Sequence, residues 1–369
     1  MHPFYLGIDL HLKRSYTVLM DSQGTILDER QVKNINIAEY LQDIVPPECH
    51  AVLEATRNWA FAYDLLSGHV AKVSLAHPKE LKAIASAAVK TDRIDAQVLA
   101  HLARLNFLPT AYAASAEIRD LRLYMRHREW LIRQRTQCKN RIHAVLAGYN
   151  LVAPTRDLFG VKGRAFLEQC MGSVRPVAQR VLLDNLKQID KLDDQVVALE
   201  ADLKLSSAQQ QTVRLLKTMP GVGPIVATII VAEVGDIDRF SNPKALCNWA
   251  GLTPRVRSSD QIVRYGRISK QGSPYLRAAM TRAATVASRI SPKWYRVHEQ
   301  LLLRCGKTGA KVAVARRLLT VVYYMLKRQQ PYQEQFPKPV NLTMCMVLRH
   351  RKLDEDTGLI GNYPGARAS

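Results

Sequence analysis

The first third of the chain consists of short apolar runs separated by turn residues, a pattern that is typical of strands. Three such runs come first, at residues 4–10, 15–20 and 25–32. The segments that follow alternate between helical and strand periodicity: residues 37–44 (helix), 50–54 (strand), 59–66 (helix), 71–76 (strand), 78–87 (helix) and 92–105 (helix). This order predicts a three-stranded meander that continues into a mixed sheet with helices packed on it.

Apolar residues recur at helical spacing in the middle of the chain, between about residue 115 and residue 205. Two heptad-like stretches, joined by residues 150–172, predict an antiparallel coiled-coil hairpin. The first of these helices carries a dense set of cations: Arg119, Arg122, Arg126, Arg128, Arg133, Arg135, Lys139 and Arg141. A cationic face of this kind is either a solvated helix surface or a surface that binds nucleic acid.

The last part of the chain is also mostly helical, except for residues 251–272. Gly, Pro, Ser and Arg are frequent there and indicate a loop or a short hairpin. The predicted fold class is therefore α/β plus α. Four parts are expected: residues 1–107 as an α/β domain with a ribonuclease-H-like sheet, 108–207 as a coiled-coil helical region, 208–330 as a mostly helical domain, and 331–369 as an irregular C-terminal tail.

The charge of the chain indicates a polyanionic partner. Among 369 residues, 53 are Lys or Arg and only 32 are Asp or Glu, which gives a formal net charge of +21. Such a charge favours binding to phosphate backbones through counterion release. The six cysteines form no CxxC pair, so neither a zinc ribbon nor a disulfide framework is indicated. No apolar run is long enough to span a bilayer, so we expect a cytoplasmic protein without membrane association, placed at the nucleoid when it is bound to DNA.

Four carboxylates in the N-terminal domain occupy positions that suit a divalent metal site. Asp9 and Glu54 each end an apolar run, whereas Asp92 and Asp95 stand three residues apart at the predicted start of a helix. Phosphoryl-transfer sites use several carboxylates to hold Mg²⁺. A first-turn acid favoured by the helix dipole would explain Asp92 alone. It would not explain Asp9 and Glu54, because a lone carboxylate at the end of a buried strand is costly, so we expect an Mg²⁺ site.

A Pro-Gly-Val-Gly turn, which contains Gly221 and Gly223, separates helices predicted at residues 211–218 and 225–234. The turn resembles a helix-hairpin-helix, in which backbone N–H groups at a helix N-terminus receive a DNA phosphate. A tight connector without any ligand explains the same residues equally well.

Ser258 and Ser259 lie in the Gly- and Arg-rich segment and follow Arg255 and Arg257. A serine flanked by cations could attack a phosphodiester, since the cations would stabilise the charge that develops on phosphorus. A polar loop whose serines cap neighbouring structure is the simpler interpretation of these residues by themselves.

Six motifs, taken in order over roughly residues 4–330, closely resemble those of transposases of the bacterial insertion-sequence 110 and 1111 groups. They are Gly7-Ile8-Asp9, Leu53-Glu54-Ala55-Thr56, Lys90-Thr91-Asp92-Arg93-Ile94-Asp95-Ala96, Pro220-Gly221-Val222-Gly223, Ala250-Gly251-Leu252-Thr253-Pro254-Arg255 and Arg267-Ile268-Ser269-Lys270-Gln271-Gly272. Six motifs in the same order are far more specific than any one of them.

This resemblance implies a Holliday-junction-resolvase-like N-terminal domain with an Mg²⁺-binding DEDD tetrad, carried here by Asp9, Glu54, Asp92 and Asp95. It implies a C-terminal transposase domain whose serine forms a covalent link to DNA. Spacing from Gly251 favours Ser259 over Ser258 as that serine, and Asp260 and Gln261 stand where glycines are common in the family. The cations expected to contact DNA phosphates are Arg255, Arg257, Arg264, Arg267 and Lys270.

The resemblance also implies partners. A structured guide (bridge) RNA from the element would pair with donor DNA and target DNA, and the protein would act as a homodimer or homotetramer. The expected function is thus RNA-guided transposition through a phosphoserine intermediate. One alternative is a metal-dependent junction resolvase or nuclease without serine catalysis, and another is a basic RNA- or DNA-binding protein that is not an enzyme.

Overall fold

The computed structural model describes residues 2–84, 91–259 and 262–333, and for residues 257–259 and 262–265 it describes the backbone alone. The end of the helix predicted at 78–87, the residues Asp260 and Gln261, and the predicted tail beyond residue 333 lie outside the described residues. The described residues form two compact units, which meet between Ala114 and Ser115 in the sequence. We call them the N-terminal unit and the C-terminal unit.

The N-terminal unit contains a six-stranded mixed sheet with the order β3-β2-β1-β4-β5-β6. Its strands are β1 (Phe4–Leu10), β2 (Arg14–Asp21), β3 (Ile26–Lys33), β4 (His50–Glu54), β5 (Lys72–Ala76) and β6 (Thr110–Ala111). The first three form the expected antiparallel meander. Strand β4 runs parallel to both β1 and β5, so the carboxyl ends of β1 and β4 meet at one edge of the sheet.

Helices cover both faces of this sheet. They are α1 (Ile37–Ile44), α2 (Trp59–Ser67), α3 (Pro78–Ile84) and α4 (Asp92–Arg104). Because side chains alternate along a strand, β1 sends Leu6 and Ile8 to one face, where they pack with residues of α1 and α2. It sends Tyr5 to the other face, where the alanines Ala96 and Ala100 of α4 pack on the sheet. The mixed α/β architecture predicted for this region is confirmed.

The C-terminal unit is helical apart from one hairpin. Its helices are α5 (Ala116–Gly148), α6 (Val161–Cys170), α7 (Pro176–Asp202), α8 (Ser207–Lys217), α9 (Pro224–Val234), α10 (Pro243–Trp249), α11 (Pro274–Ile290) and α12 (Pro292–Arg328). Strands β7 (Pro254–Ser259) and β8 (Ile262–Ile268) pair in antiparallel fashion. Helix α9 lies within the main core of this unit. All eight residues from 227 to 234 are buried, and Glu233 is the charged residue among them.

The long helices α5 and α7 pack against each other in antiparallel orientation. Arg128 near the start of α5 bonds Glu200 near the end of α7, at 2.7 Å from Nε to Oε1. Further along α5, Arg135 bonds Asp193, and Ile142 packs with Leu182 near the start of α7. The apolar periodicity therefore correctly predicted that these two helices pack in antiparallel orientation. Whether they supercoil around each other as a coiled coil stays a prediction.

Two smaller expectations concern membranes and thiols. Within the described ranges, no helix is long and apolar enough to cross a bilayer. The cysteines in those ranges (Cys49, Cys138, Cys170, Cys247 and Cys305) are all free thiols.

Candidate metal centre and serine hairpin

Gly7 determines how closely helix α4 approaches the sheet. A Cβ atom at this position would lie 1.9 Å from the carbonyl oxygen of Ala96 and 2.8 Å from the amide nitrogen of Ala100. Only a residue without a side chain permits such a contact between a strand and a helix backbone. The start of α4, which carries Asp92 and Asp95, is thereby held beside the carboxyl end of β1, which carries Asp9.

Alternation along the strands sends Asp9 and Glu54 to the α4 face of the sheet. Gly7 and Val52 both contact α4. Asp9 and Glu54 each come two residues later on the same strands, so their side chains point to the same face. The last paired residues of β1 and β4 are Ile8 and Leu53, so Asp9 and Glu54 come next on neighbouring strands. This register places both residues at the same edge of the sheet.

Three side chains converge at this edge, and one of them is a histidine. Oxygen atoms of Asp9 and Asp92 and a ring nitrogen of His11 all lie within 4.8 Å of one another. His11 Nε2 is 3.1 Å from Asp9 Oδ2 and 3.3 Å from Asp92 Oδ1. The side chain of Asp9 is 13 % exposed, whereas those of His11 and Asp92 are about half exposed. The group is thus open to solvent on one side and buried on the Asp9 side.

Glu54 and Asp95, the other two predicted ligands, lie near this group without belonging to it. Neither is among the residues whose ligand atoms come within 4.8 Å of one another in the described part of the chain. Both side chains are partly buried. Thr91 caps α4, since its hydroxyl accepts the Ile94 N–H at 3.3 Å. Asp92 lies in the first turn of α4, where the helix dipole favours an acid, and its carboxylate also contacts His11.

The charges in the cluster perturb one another. Burial raises the pKa of Asp9, and the charges of Asp92 and Asp95 raise it further against the opposing effect of His11. Burial by itself would lower the pKa of His11, but the charge of Asp9 and the hydrogen bond and charge of Asp92 outweigh it, so that the pKa is raised. Neighbouring carboxylates repel each other, and a bound cation would relieve that repulsion. The donor set therefore fits a divalent metal ion.

His11 is the functional residue that sequence reasoning missed. The sequence signal for His11 was its position two residues after Asp9, because side chains two positions apart on an extended chain point to the same face. Its carbonyl oxygen accepts hydrogen bonds from Asn34 Nδ2 at 2.8 Å and from Asn58 Nδ2 at 2.9 Å. Its own N–H donates to the carbonyl of Arg14 at 3.2 Å. The backbone of His11 is held from three directions.

The predicted serine segment forms a hairpin, with Ser259 as the last residue of β7. Ser259 pairs with Ile262 and Ser258 with Val263. Asp260 and Gln261, between the strands, lie outside the described residues. Of the five predicted phosphate-binding cations, the structure describes three side chains, those of Arg255, Arg267 and Lys270, and all three are exposed. The side chains of Arg257 and Arg264 fall where only the backbone is described.

The base of the hairpin is tightly closed. The Lys270 N–H donates to the Gly251 carbonyl at 3.2 Å, and the Ser269 N–H donates to the Thr253 carbonyl at 2.8 Å. Arg277 of α11 donates through Nη1 to three carbonyl oxygens, those of Ala250, Gln271 and Gly272, at 3.0–3.1 Å. Burial lowers the pKa of Arg277. One guanidinium thus ties both ends of the hairpin to the helix that follows it.

The Pro-Gly-Val-Gly turn connects α8 and α9, as predicted. Gly221 has φ of +82° and packs against α11, where a Cβ would lie 2.3 Å from the Ala283 carbonyl oxygen. Gly223 is exposed and precedes the first turn of α9, with open space around its Cα. The packing explains Gly221 structurally, and DNA binding by the turn stays a prediction.

Several of the arginines on α5 have partners within the C-terminal unit. Arg126 forms a bidentate pair with Glu233 of α9, at 2.8 and 2.9 Å. Arg282 of α11 forms a second one with Glu129 of α5, at 2.9 and 3.0 Å. Arg122 donates to the carbonyls of Ala232 and Glu233. Two of the eight cations, Arg122 and Arg126, therefore bind α9 within the unit, and two more, Arg128 and Arg135, bind carboxylates of α7.

Replacing Arg126 by alanine is expected to lower the free energy of unfolding by about 3 kcal/mol, because it leaves the buried Glu233 carboxylate without its charge partner. The side chain of Glu233 is only 3 % exposed. Denaturant unfolding of the full chain measures the effect. Arg141→Ala, on the exposed side of the same helix, is the control and should change the value by less than about 0.5 kcal/mol. Equal effects of the two changes would contradict the structural role of Arg126.

Two family profiles match separate parts of the chain. Residues 6–151 match a transposase family of the IS110 DEDD type, and residues 213–299 match the family described as "Transposase IS116/IS110/IS902 family". The first range includes Asp9, His11 and Asp92, and the second includes the end of α8, all of α9 and the serine hairpin.

Three relatives share much of their length with this chain. The chain is 26 % identical over 342 residues to a probable family 20 transposase of Pseudomonas aeruginosa, covering 89 % of this chain and 98 % of that protein. It is 26 % identical over 337 residues to the transposase for insertion sequence element IS1111A of Coxiella burnetii, covering 89 % and 91 %. It is 24 % identical over 292 residues to a pilin gene-inverting protein of Moraxella lacunata, covering 77 % and 82 %.

Proposed function

Because the chain carries both transposase domains of the IS110/IS116/IS902 family, we propose that it moves an insertion sequence by cutting and rejoining DNA through Ser259. A divalent cation would assist at the group formed by Asp9, His11 and Asp92, which we call the Asp9 cluster. The observation that carries this proposal is the convergence of Asp9, His11 and Asp92 within 4.8 Å. We assign Glu54 and Asp95 as the other two carboxylates of the DEDD set from the family resemblance, and the charge of Asp95 raises the pKa of Asp9. The strand order of the N-terminal unit supports a ribonuclease-H-like fold for it.

The serine step exchanges one phosphate ester for another. The Ser259 Oγ attacks the phosphorus of a DNA phosphodiester and gives up its proton. The bond from phosphorus to a deoxyribose oxygen breaks, and that oxygen leaves and takes up a proton. The product is a phosphodiester between DNA and serine. A free deoxyribose hydroxyl of another strand can attack its phosphorus and give up its proton; the bond from phosphorus to Ser259 Oγ then breaks, Oγ takes up a proton, and the DNA phosphodiester is restored. The exposed side chains of Arg255, Arg267 and Lys270 would bind phosphates of the DNA near the hairpin.

A divalent cation at the Asp9 cluster would supply positive charge against the non-bridging oxygens of a phosphate. Asp9 and Asp92 would hold it, with Glu54 and Asp95 near enough to neutralise its charge or to bind it through water. Burial of the Asp9 side chain keeps that carboxylate fixed in direction. These residues would thus present a positioned cation without any rearrangement of the sheet.

We also propose, from the family resemblance, that a structured RNA of the element pairs with donor and target DNA, and that the protein acts as a homodimer or homotetramer. The net charge of +21 supports binding to two kinds of nucleic acid. Deleting the non-coding segment that encodes the RNA should abolish insertion while the protein level is unchanged. Insertion without that segment would contradict RNA guidance.

Replacing Ser259 by alanine is expected to abolish both recombination and covalent protein–DNA adducts, because no other group would supply the attacking oxygen. Denaturing gels of the purified chain with labelled element ends measure the adducts. Ser258→Ala is the matched control and should retain them, whereas Asp9→Asn should lose recombination. Adducts that persist in Ser259→Ala but vanish in Ser258→Ala would identify Ser258 as the nucleophile. Cleavage that persists in both variants but is lost in Asp9→Asn would favour the metal-dependent nuclease instead.

A further inference from the structure

We propose that His11 is a direct ligand of the divalent cation in the N-terminal unit, so that the site binds Mn²⁺ in preference to Mg²⁺. The inference rests on the proposed function, since it takes the Asp9 cluster to be a metal site. It adds a nitrogen donor to a centre that the sequence motifs describe by carboxylates alone.

The separations between donor atoms match those of an octahedral ion. Bonds of about 2.1 Å from metal to ligand place neighbouring ligand atoms of an octahedron about 3 Å apart. His11 Nε2 lies 3.1 Å from Asp9 Oδ2 and 3.3 Å from Asp92 Oδ1. The two carboxylate oxygens and the ring nitrogen all lie within 4.8 Å of one another, so one ion could contact all three side chains. The ring would bind through the Nε2 lone pair, and its proton would then reside on Nδ1.

The backbone around His11 is built to hold the residue in place. The carbonyl oxygen of His11 has two lone pairs, and the side-chain amides of Asn34 and Asn58 occupy both. Asn34 is itself fixed, since its Oδ1 accepts the Ser15 hydroxyl at 2.7 Å and its N–H donates to the Lys13 carbonyl at 3.0 Å. These hydrogen bonds fix the backbone of residue 11, and the contacts with Asp9 and Asp92 then direct its imidazole ring.

Asn58 links this clamp to the neighbouring acidic residue. It lies four residues after Glu54, in the segment between β4 and α2. Its amide reaches across to the turn after β1 at 2.9 Å. The same hydrogen bond therefore fixes His11 relative to the loop that follows Glu54. The turn after β1 and the loop after β4 are therefore linked at the edge of the sheet that carries Asp9 and Glu54.

Donor chemistry then determines which ion the site prefers. Carboxylate and water ligands suit Mg²⁺, Ca²⁺ and Mn²⁺, whereas imidazole suits the transition metals. Mn²⁺ binds carboxylate and water oxygens and, as a transition-metal ion, also accepts an imidazole nitrogen, so this mixed donor set favours Mn²⁺ over Mg²⁺. Mg²⁺ binds nitrogen weakly and would leave His11 as a spectator. The histidine thus increases the ratio of the Mg²⁺ to the Mn²⁺ dissociation constant.

The test uses Mn²⁺ alone as the probe, with the purified full-length chain and no DNA. Electron paramagnetic resonance of free Mn²⁺ yields the affinity, and Mg²⁺ competition yields the ratio of dissociation constants. Pulsed measurement of the bound ion detects coupling to ¹⁴N of a coordinated ring. The variants are His11→Gln and Asp9→Asn, and the control is His69→Gln, which changes a histidine that bonds the Leu65 carbonyl of α2.

We expect ¹⁴N coupling in the wild type and in His69→Gln, and its loss in His11→Gln. In that variant the Mn²⁺ affinity should fall by at least about tenfold, since even the loss of a group that only supports a ligand costs that much. The ratio of the Mg²⁺ to the Mn²⁺ dissociation constant should also decrease. Bound Mn²⁺ without ¹⁴N coupling, or unchanged affinity in His11→Gln, would overturn the assignment of His11 while leaving the metal site intact. Binding that is unaffected by Asp9→Asn would overturn the metal centre itself, and with it both proposals.

Discussion

Replacing Gly7 by alanine is expected to abolish recombination and to destabilise the N-terminal unit by more than about 3 kcal/mol. The added Cβ would lie 1.9 Å from the Ala96 carbonyl oxygen and 2.8 Å from the Ala100 amide nitrogen. Both atoms belong to the backbone of α4, so no side chain can rotate out of the way. Helix α4 must then move away from β1 and carry Asp92 away from Asp9 and His11.

Denaturant unfolding and Mn²⁺ binding of the full chain separate the two parts of this prediction. Gly68→Ala is the matched control in the same unit. A Cβ there would lie 3.5 Å from the Leu65 carbonyl oxygen, which is an ordinary contact, and φ of −86° suits any residue. We expect this control to bind Mn²⁺ and to recombine DNA as the wild type does. A Gly7→Ala protein with unchanged stability and metal affinity would show that α4 does not need the close approach.

The second large effect is expected at Gly272, at the base of the serine hairpin. Its φ is +76°, a conformation that residues with a side chain rarely adopt. A Cβ there would also lie 1.8 Å from the Trp249 carbonyl oxygen. Gly272→Ala should therefore displace the segment that Arg277 ties to α11 and move Ser259. We expect recombination and protein–DNA adducts to fall by at least about a hundredfold, since misplacement of a reacting group by 1 Å has that effect.

Metal binding distinguishes a local change at the hairpin from general unfolding. Gly272→Ala should retain the Mn²⁺ affinity of the wild type, because the Asp9 cluster lies in the other unit. Gly266→Ala, on β8 of the same hairpin, is the control, since a Cβ there would lie no closer than 3.7 Å to its neighbours. Full adduct formation by Gly272→Ala would show that the base of the hairpin does not position the serine.

The elements of the N-terminal unit could be predicted because their periodicity is local. Strands β1 and β4 and helices α1 and α4 lie where the apolar pattern indicated them. Strand β6 was missed, since its two residues, Thr110 and Ala111, are too few to show a period. Its pairing with β5 depends on how the chain returns to the edge of the sheet after α4.

The arginines of α5 show a different limit. Their density was visible in the sequence, but a charge pattern does not reveal whether its partner is nucleic acid or another part of the chain. Arg126 of α5 is 107 residues from its partner Glu233. Glu129 of the same helix is 153 residues from its partner, Arg282 of α11. Each carboxylate is buried by packing among α5, α9 and α11, so its pairing emerges only when those helices come together.

By itself, the sequence determined the order of elements, the acidic motif residues and the glycines on which the two candidate sites depend. These features are local, because they follow from apolar spacing and from residue types at strand ends and turns. Tertiary structure alone decided that Asp92 reaches Asp9 and that His11 joins them. That convergence follows from the parallel pairing of β1 with β4 and from the contact of α4 with Gly7. Asp9 and Asp92 are distant in sequence, so their separation in space depends on how β1 and α4 pack. The apolar spacing within either element does not determine that packing.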